Sequence, residues 1–348
     1  MAHYETGSQT RRPRFGRRIA ILAAVVVVVA VAWSVFWFVA AAYAERMFLT
    51  VLDDASQQGV VLDCTDRTIS GYPFRIELRC GEATSLTLPD ATITLDGLSA
   101  VGLIYNPRHV IVGFAGPAVI SDGDFPETTA DWSLARASIS VRGDQLGRFS
   151  LSVEDPRIAT LGSEVFAARL AELHVRMDPD VSDTVDVAVR LGGVEPAVDG
   201  PPIDATLVTA IEGLAGLSGA GNATAQQVLA ELGGVPIELS LFSLQAGEAR
   251  LSAAGDLTVR PDGYLDGSVD VAVAADGQSL PYLDTLAAGR ADNLRSLIDT
   301  ILKLGRPTEI EGVQARSFPL AISAGRVSAG LFPLGRIPPV PVDAIRVR

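Results

Sequence analysis

The chain changes its hydrophobic pattern once, close to the N-terminus. Residues 19–44 form an uncharged, mostly aliphatic run of 26 positions, and about 20 helical residues are enough to cross the ~30 Å hydrocarbon core of a bilayer. In residues 45–59 the apolar side chains recur every three or four positions up to Gly59, a pattern typical of an amphipathic helix that ends at glycine. We therefore predict a transmembrane helix that continues directly into an amphipathic helix.

Two later regions, residues 60–200 and 235–348, alternate apolar and polar positions with period two. In residues 138–141 and 185–189 one face of the extended chain is apolar and the other is polar or small, as expected for a sheet with one buried face. The pattern predicts a mainly β or α+β protein, in which extended antiparallel sheets follow the N-terminal helix and a few helices pack on them. The predicted strands are residues 75–78, 84–88, 91–95, 109–114, 132–141, 149–153, 167–177, 184–191, 237–244, 249–259, 264–274, 315–323 and 326–331.

Residues 201–234 interrupt the strand pattern, and we predict a helical insertion there. A first helix would place five apolar residues on one face: Ile203, Leu207, Ala210, Ile211 and Leu214. Asn222 can cap a second helix that carries Ala225, Val228, Leu229 and Leu232. The glycine-rich residues 213–221 would form the turn between the two helices, and they lack the Lys and Ser/Thr of a phosphate-binding loop. An apolar stripe over residues 280–304 predicts one long helix inside the second β-rich region.

Charge gives the N-terminal helix an orientation. Residues 1–18 form a basic tail with five arginines and one acid, and basic flanks stay on the cytoplasmic side of a membrane. Trp33, Trp37 and Tyr43 lie in the second half of the apolar run, where aromatic rings favour the headgroup region. The sequence predicts a single-pass protein of the inner (cytoplasmic) membrane, with a cytoplasmic N-terminus and a periplasmic C-terminal domain.

A cleaved signal peptide is the alternative, because Ala42, Tyr43 and Ala44 fit a small-x-small cleavage site. The apolar run exceeds the ~7 to 15 residues of a signal peptide, which favours a retained anchor, and cleavage after Ala44 stays open. Two arginine pairs in the basic tail also allow a twin-arginine export signal, but topogenic charge explains them equally well. The whole chain has a net charge of −13, and residues 19–348, with 23 basic and 40 acidic residues, have a net charge of −17, so we expect no nucleic-acid binding by this acidic remainder.

The two cysteines, Cys64 and Cys80, flank a turn between extended stretches. In an oxidising compartment this spacing suits a disulfide across a hairpin, and free thiols are the alternative. Two cysteines without clustered histidines are too few ligands for a metal site. We predict a disulfide and neither a metal nor a cofactor.

The turn between the cysteines has the motif GYPFR, which consists of Gly71, Tyr72, Pro73, Phe74 and Arg75. Together with Phe332-Pro333-Leu334-Gly335 and Pro338-Pro339, it resembles an uncharacterised family of bacterial envelope proteins with one N-terminal membrane helix. Residues 251–259 and 263–267 also resemble the strand-turn-strand unit of AsmA-like proteins, a resemblance that implies long β-grooves involved in lipid transport. Tyr72, Pro73 and Phe74 could form a surface recognition motif, but packing of the aromatic pair at a disulfide-linked hairpin is the simpler interpretation.

The sequence offers no recognisable catalytic site. His3, His109 and His174 are the histidines, and no nucleophile elbow, zincin or Walker motif is present. Asp262, Asp266 and Asp270 recur every four residues, but on a strand that spacing is ~13 Å, too long for one calcium ion. We expect a non-enzymatic protein whose curved sheet binds lipid or another apolar ligand. The alternative is a structural or interaction scaffold of the envelope without a ligand.

Overall fold

The computed structural model describes residues 15–57, 59–64, 66–81, 84–89, 91–122, 125–143, 145–177, 184–196, 200–213, 225–274 and 303–341. Helix α1 covers Phe15–Gln57 without a break, so the predicted transmembrane and amphipathic segments form one continuous helix. It ends where the sequence predicts, because Gly59 has a φ of 82° and its N–H donates to the carbonyl oxygen of Ser56. At 1.5 Å per residue, α1 is about 65 Å long.

The rest of the described chain is mostly antiparallel sheet, which confirms the predicted fold class. The strands are β1 (Val61–Asp63), β2 (Thr68–Ser70), β3 (Arg75–Cys80), β4 (Thr84–Thr87), β5 (Ala91–Leu103), β6 (Asn106–Asp122), β7 (Phe125–Asp131), β8 (Leu134–Arg142), β9 (Gln145–Glu154), β10 (Arg157–Thr160), β11 (Ser163–Ala167), β12 (Leu170–Met177), β13 (Thr184–Val194), β14 (Ile203–Glu212), β15 (Val235–Ala246), β16 (Ala249–Val259), β17 (Leu265–Ala274), β18 (Arg306–Ile310), β19 (Val313–Ser323), β20 (Arg326–Ala329) and β21 (Phe332–Arg336). A short helix, α2, spans Ala225–Leu232 before β15.

The strands follow each other across one open sheet in nearly the order of the chain. The main ladder runs β2, β3, β5, β6, β8, β9, β12, β13, β14, β15, β16, β17, β19, β20 and β21, with every neighbour antiparallel. The remaining strands extend its rims: β4 and β1 beside β5, the series β7, β10 and β11 beside β6, and β18 beside β19. Each strand therefore contacts its neighbours along the ladder, and no parallel crossover occurs among the described strands.

The register gives the sheet one apolar and one polar face, because residues directly opposite each other across a ladder point to the same side. One unbroken row of such partners crosses thirteen strands and is apolar at every position: Ile69, Leu78, Ala100, Val112, Ala137, Leu151, Leu173, Val189, Leu207, Phe242, Ala253, Val271 and Phe318. We call this row the apolar row and its side of the sheet the apolar face.

A row on the opposite side crosses the same strands from β3 to β19 with almost exclusively polar or small residues. Its members are Arg79, Ser99, Gly113, Arg136, Ser152, Glu172, Arg190, Thr206, Ser243, Ser252, Ala272 and Ser317. We call this side the polar face. The alternation of apolar and polar residues thus continues from strand to strand across the sheet, and the register shifts at β-bulges, for example in the β14–β15 and β15–β16 pairs.

The apolar face is most deeply buried at the C-terminal end of the sheet. There Val269, Val271 and Val273 of β17 form a cluster with Leu320 and Ile322 of β19. Leu334 and Ile337, from the end of the described chain, pack against the same cluster. At the rim where β15 begins, Leu229 of α2 is buried against Val235 and Val259. Helix α2 therefore covers one margin of the apolar face.

The predicted helical insertion over residues 201–234 is wrong in its first half. Residues 203–212 form strand β14, which pairs with β13 and β15 in the middle of the sheet. Ile203, Ala205, Leu207 and Ile211 also fit period two, and the β-branched residues of this segment favour a strand when neighbours are available on both sides. The second helix is present as α2. Leu214, Asn222 and the turn over 214–221 lie outside the described residues, as does the predicted helix over 280–304 except for its last two residues.

Candidate functional surfaces

The GYPFR turn lies against the middle of α1. The indole N–H of Trp33 donates to the carbonyl oxygen of Pro73 (2.9 Å), and the indole N–H of Trp37 donates to that of Arg75 (2.9 Å). The hydroxyls of Ser34 and Tyr72 are 2.9 Å apart. Three side chains on one face of α1 therefore bind the backbone and a side chain of a turn that is almost 40 residues further along the chain.

Aromatic packing reinforces these hydrogen bonds. Trp37 is 5% exposed, and its ring meets that of Tyr72 edge to face at 5.6 Å. The rings of Trp33 and Phe74 are 6.1 Å apart in a tilted arrangement. Such ring pairs contribute about 0.5–1.5 kcal/mol beyond the area they bury. The sequence predicted packing for Tyr72 and Phe74 at the hairpin itself, whereas the structure shows their ring partners on α1.

Two further links fix the N-terminal hairpin. Arg67 and Glu45 of α1 form an ion pair at 3.2 Å. Cys64 and Cys80 are joined by a disulfide, as predicted, with their Cα atoms 5.2 Å apart. The first strands of the sheet are thus attached to α1 at the GYPFR turn and again, eight to twelve helix residues later, at Glu45.

The polar side of β3 carries a buried carboxylate. The side chain of Glu77 is 7% exposed and lies between two arginines of the same strand, Arg75 at 3.2 Å and Arg79. A buried acid of this kind is tolerated because both of its oxygens meet guanidinium donors. We interpret this triplet as structural.

The apolar face is half-exposed in the middle of the sheet. On β9 and β12 its members, which include Phe149, Leu151, Leu173 and Val175, are all only partly buried. Among the described residues, no layer of helix or sheet covers these strands on that side; α2 lies at the rim near β15. The described residues therefore leave an apolar strip partly exposed along the middle of the apolar face.

The polar face contains a depression of about 640 Å³ over β9, β12, β13 and β14. His174 lies in it, with its Nδ1 atom 3.0 Å from the hydroxyl of Ser150, and Arg176 pairs with Asp186 at 2.6 Å. His109, on β6, is 2.8 Å from the hydroxyl of Ser138 in a similar cross-strand pair. A serine–histidine pair on an open strand needs an orienting third group and oxyanion donors before it can act as a nucleophile. We read both pairs as cross-strand hydrogen bonds that stabilise the sheet.

Two of the three aspartates considered as calcium ligands have other contacts. Asp262 and Asp266 bind Arg260, and Asp266 also accepts the backbone N–H of Ala324. The hydrogen bond to Asp262, with the charges of both carboxylates, raises the pKa of Arg260. Within the described parts of the chain, no group of three metal-ligating side chains comes together.

The sequence identified the turn and the disulfide but missed their setting. The contact of residues 71–75 with α1 joins segments that are distant in sequence, and only the two tryptophans and the serine spaced along one helix face could have indicated it. The apolar row was also missed, because it depends on registers between strands.

Comparison with protein families identifies a match. A family model described as an uncharacterized protein conserved in bacteria (DUF2125) matches residues 37–338. No curated protein and no solved structure matches the chain. Helix α1, in the stretch Arg18–Gln57, is long and apolar enough to span a membrane, and the rest of the described chain leaves its most apolar part uncovered.

Proposed function

The chain belongs to the bacterial family DUF2125, and from this premise we propose that it is a membrane-anchored envelope protein that binds lipid on its apolar face. In this proposal α1 crosses the cytoplasmic membrane once, with the basic tail in the cytoplasm and the sheet in the periplasm. The protein has no catalytic activity of its own and takes an apolar ligand such as an acyl chain.

One observation carries the lipid proposal, namely the unbroken apolar row. At about 4.8 Å per strand, its thirteen strands span roughly 58 Å, and its members on the central strands β9, β12, β13, β14 and β15 are only partly buried. Soluble proteins rarely leave contiguous apolar patches larger than a few hundred Å² uncovered, and larger ones mark interaction sites. A strip that is long, narrow and apolar has the shape and the chemistry of extended acyl chains. The likeness of residues 251–267 to AsmA-like proteins points in the same direction.

Two features support the proposed placement. Five arginines precede the apolar run of α1, as expected for a cytoplasmic N-terminus. The Cys64–Cys80 disulfide belongs to an oxidising compartment such as the periplasm. Both support export of the sheet.

The proposal is tested with a charge placed on the apolar row. Val189 and Ala188 are adjacent, half-buried residues of β13 that point to opposite faces. We expect Val189→Asp to reduce lipid binding about tenfold or more, because a carboxylate beside an acyl chain loses its hydration. Ala188→Asp adds the same charge on the polar face and should leave binding unchanged. The measurement is crosslinking of the detergent-purified full chain to a photoactivatable phosphatidylethanolamine, with bound lipid quantified by mass spectrometry.

A second substitution guards against unfolding. Val189→Thr keeps the size of the side chain and adds only a hydroxyl, so it should weaken crosslinking more modestly while the circular dichroism spectrum stays unchanged. Equal crosslinking of Val189→Asp and Ala188→Asp would reject the lipid proposal and favour a scaffold without a ligand.

A further inference from the structure

After α1 ends, the chain folds back along the helix, and the GYPFR turn contacts the apolar part of α1. Helix α1 continues for 20 residues beyond Trp37, about 30 Å, before it ends at Gln57. Residues 60–64 and 66–70 lie on the way back, partly as β1 and β2, and the GYPFR turn that follows them lies beside Trp33 and Trp37. The sheet therefore reaches back along the helix toward the membrane-spanning stretch.

The depth of this contact follows from the length of the apolar run. If the hydrocarbon core begins at Ile19, directly after Arg18, about 20 residues bring it to Phe38. If the core is centred on the 26-residue run instead, it ends a few residues later. With either placement, Trp33 and Trp37 lie at or inside the boundary between hydrocarbon and headgroups, and so does the turn that they contact.

The backbone of the turn suits a site with little water. Its carbonyl groups at 71, 73, 74 and 75 accept hydrogen bonds from the N–H of Arg75, Trp33, the N–H of Ile104 and Trp37, respectively. Pro73 has no N–H to satisfy. Backbone inside a membrane boundary must find its partners within the protein, and four of the five carbonyl groups of residues 71–75 do so.

The side chains at this rim of the sheet are large, aromatic and exposed. Tyr72 is 53%, Phe74 61% and Tyr105 72% exposed, and Tyr105 belongs to the neighbouring turn between β5 and β6. We call these three residues the aromatic rim. Arg108, also exposed, follows Tyr105 by three positions and provides a cation for lipid phosphates. Aromatic rings beside basic side chains are typical of protein segments at the headgroup level.

We propose that the aromatic rim inserts into the headgroup boundary of the membrane leaflet that faces the sheet. Tyr72, Phe74 and Tyr105 lie among lipid molecules, and β3, β5 and β6 are the strands of the sheet that lie nearest the bilayer. The occupant of this surface is the lipid bilayer. The inference rests on the proposed membrane span of α1 but does not depend on lipid binding by the apolar face.

Spin labels measure the depth of the rim. The full chain is reconstituted in phosphatidylethanolamine–phosphatidylglycerol vesicles with one added cysteine at a time, while the Cys64–Cys80 disulfide stays oxidised. Phe74→Cys and Tyr105→Cys are compared with Val28→Cys inside the apolar run and with Leu161→Cys, which is 80% exposed on the turn between β10 and β11. The readout is the ratio of label collisions with oxygen to collisions with a water-soluble nickel complex.

We expect the ratio at positions 74 and 105 to lie between that at 28, in the hydrocarbon, and that at 161, in water. Tyr105→Cys removes no ring contact to α1 and keeps the test valid if Phe74→Cys loosens the turn. Ratios equal to that at 161 would overturn the inference while the span of α1 stands. Labels shielded from both quenchers would indicate a protein partner and overturn it too. A water-like ratio at 28 would reject the span itself and the inference with it.

Discussion

Gly71 determines whether the turn that binds α1 can form. Its φ of 103° lies in the region that favours glycine, and a Cβ atom there would be 2.7 Å from the carbonyl oxygen of Arg75. Arg75 donates its N–H to the carbonyl oxygen of Gly71, and the carbonyl oxygen of Arg75 accepts the hydrogen bond from the indole N–H of Trp37. A side chain at position 71 therefore disturbs the turn and its attachment together.

We expect Gly71→Ala to lower the free energy of unfolding by more than about 1 kcal/mol and to release the turn from α1. The measurements are thermal unfolding of the purified full chain and proteolysis between residues 70 and 76. Gly102→Ala is the matched control, since a Cβ atom there would meet nothing within 4 Å. An equal effect at both positions would contradict the role given to Gly71.

At the scale of residues, the sequence predicted what is decided locally. A cysteine pair around a turn needs only a hairpin to close, and Cys64 and Cys80 do form the disulfide. The partners of Tyr72 and Phe74 could not be predicted, because a ring contact with α1 depends on how the whole hairpin folds back.

At the scale of elements, β14 shows where periodicity is ambiguous. Ile203, Leu207 and Ile211 fit both a helical and a strand spacing, and the choice between them is made by β13 and β15 on either side. Helix α2 was predictable because it lies at the rim, where no strand competes for its backbone. Boundaries were also set by neighbours: β5 continues to Leu103 because β3 and β6 flank its second half.

The two leucines of α2 differ in burial, so substituting each in turn distinguishes the effect of packing from that of helical propensity. Leu229 is 6% exposed against Val235 and Val259, whereas Leu232 is 47% exposed. We expect Leu229→Ala to destabilise the protein by about 2–5 kcal/mol or to detach α2 locally. Leu232→Ala should change stability by less than about 0.5 kcal/mol. Hydrogen exchange of residues 225–235 measures both, and similar exchange in the two variants would refute the packing of α2 on the apolar face.

At the scale of the whole molecule, the open ladder makes stability local. Each strand is held by the strands beside it, so the fold resembles a one-dimensional array more than a globular core. Sequence patterns predicted an antiparallel sheet with one apolar face, since alternation and turn residues encode that directly. They could not predict that the strands join one sheet in nearly sequential order, because hairpins alone do not determine how they associate.

A cavity-forming substitution in the C-terminal cluster tests whether destabilisation stays confined to neighbouring strands. Val273 is 2% exposed in that cluster, and Val273→Ala should cost about 2 kcal/mol. We expect hydrogen exchange to accelerate in β16, β17 and β19, while β3, β5 and β6 at the other end keep their protection. Uniform acceleration across the sheet would show a single cooperative unit instead.

The sequential order of the strands also means that the number of hairpins sets the length of the sheet. Because every pairing is antiparallel and joins near neighbours, a hairpin added or removed in the middle leaves the environment of the remaining strands almost unchanged. Each such hairpin alters the reach of the sheet by about 10 Å. Evolution can therefore adjust how far this protein extends from α1 in steps of two strands, without redesigning either end.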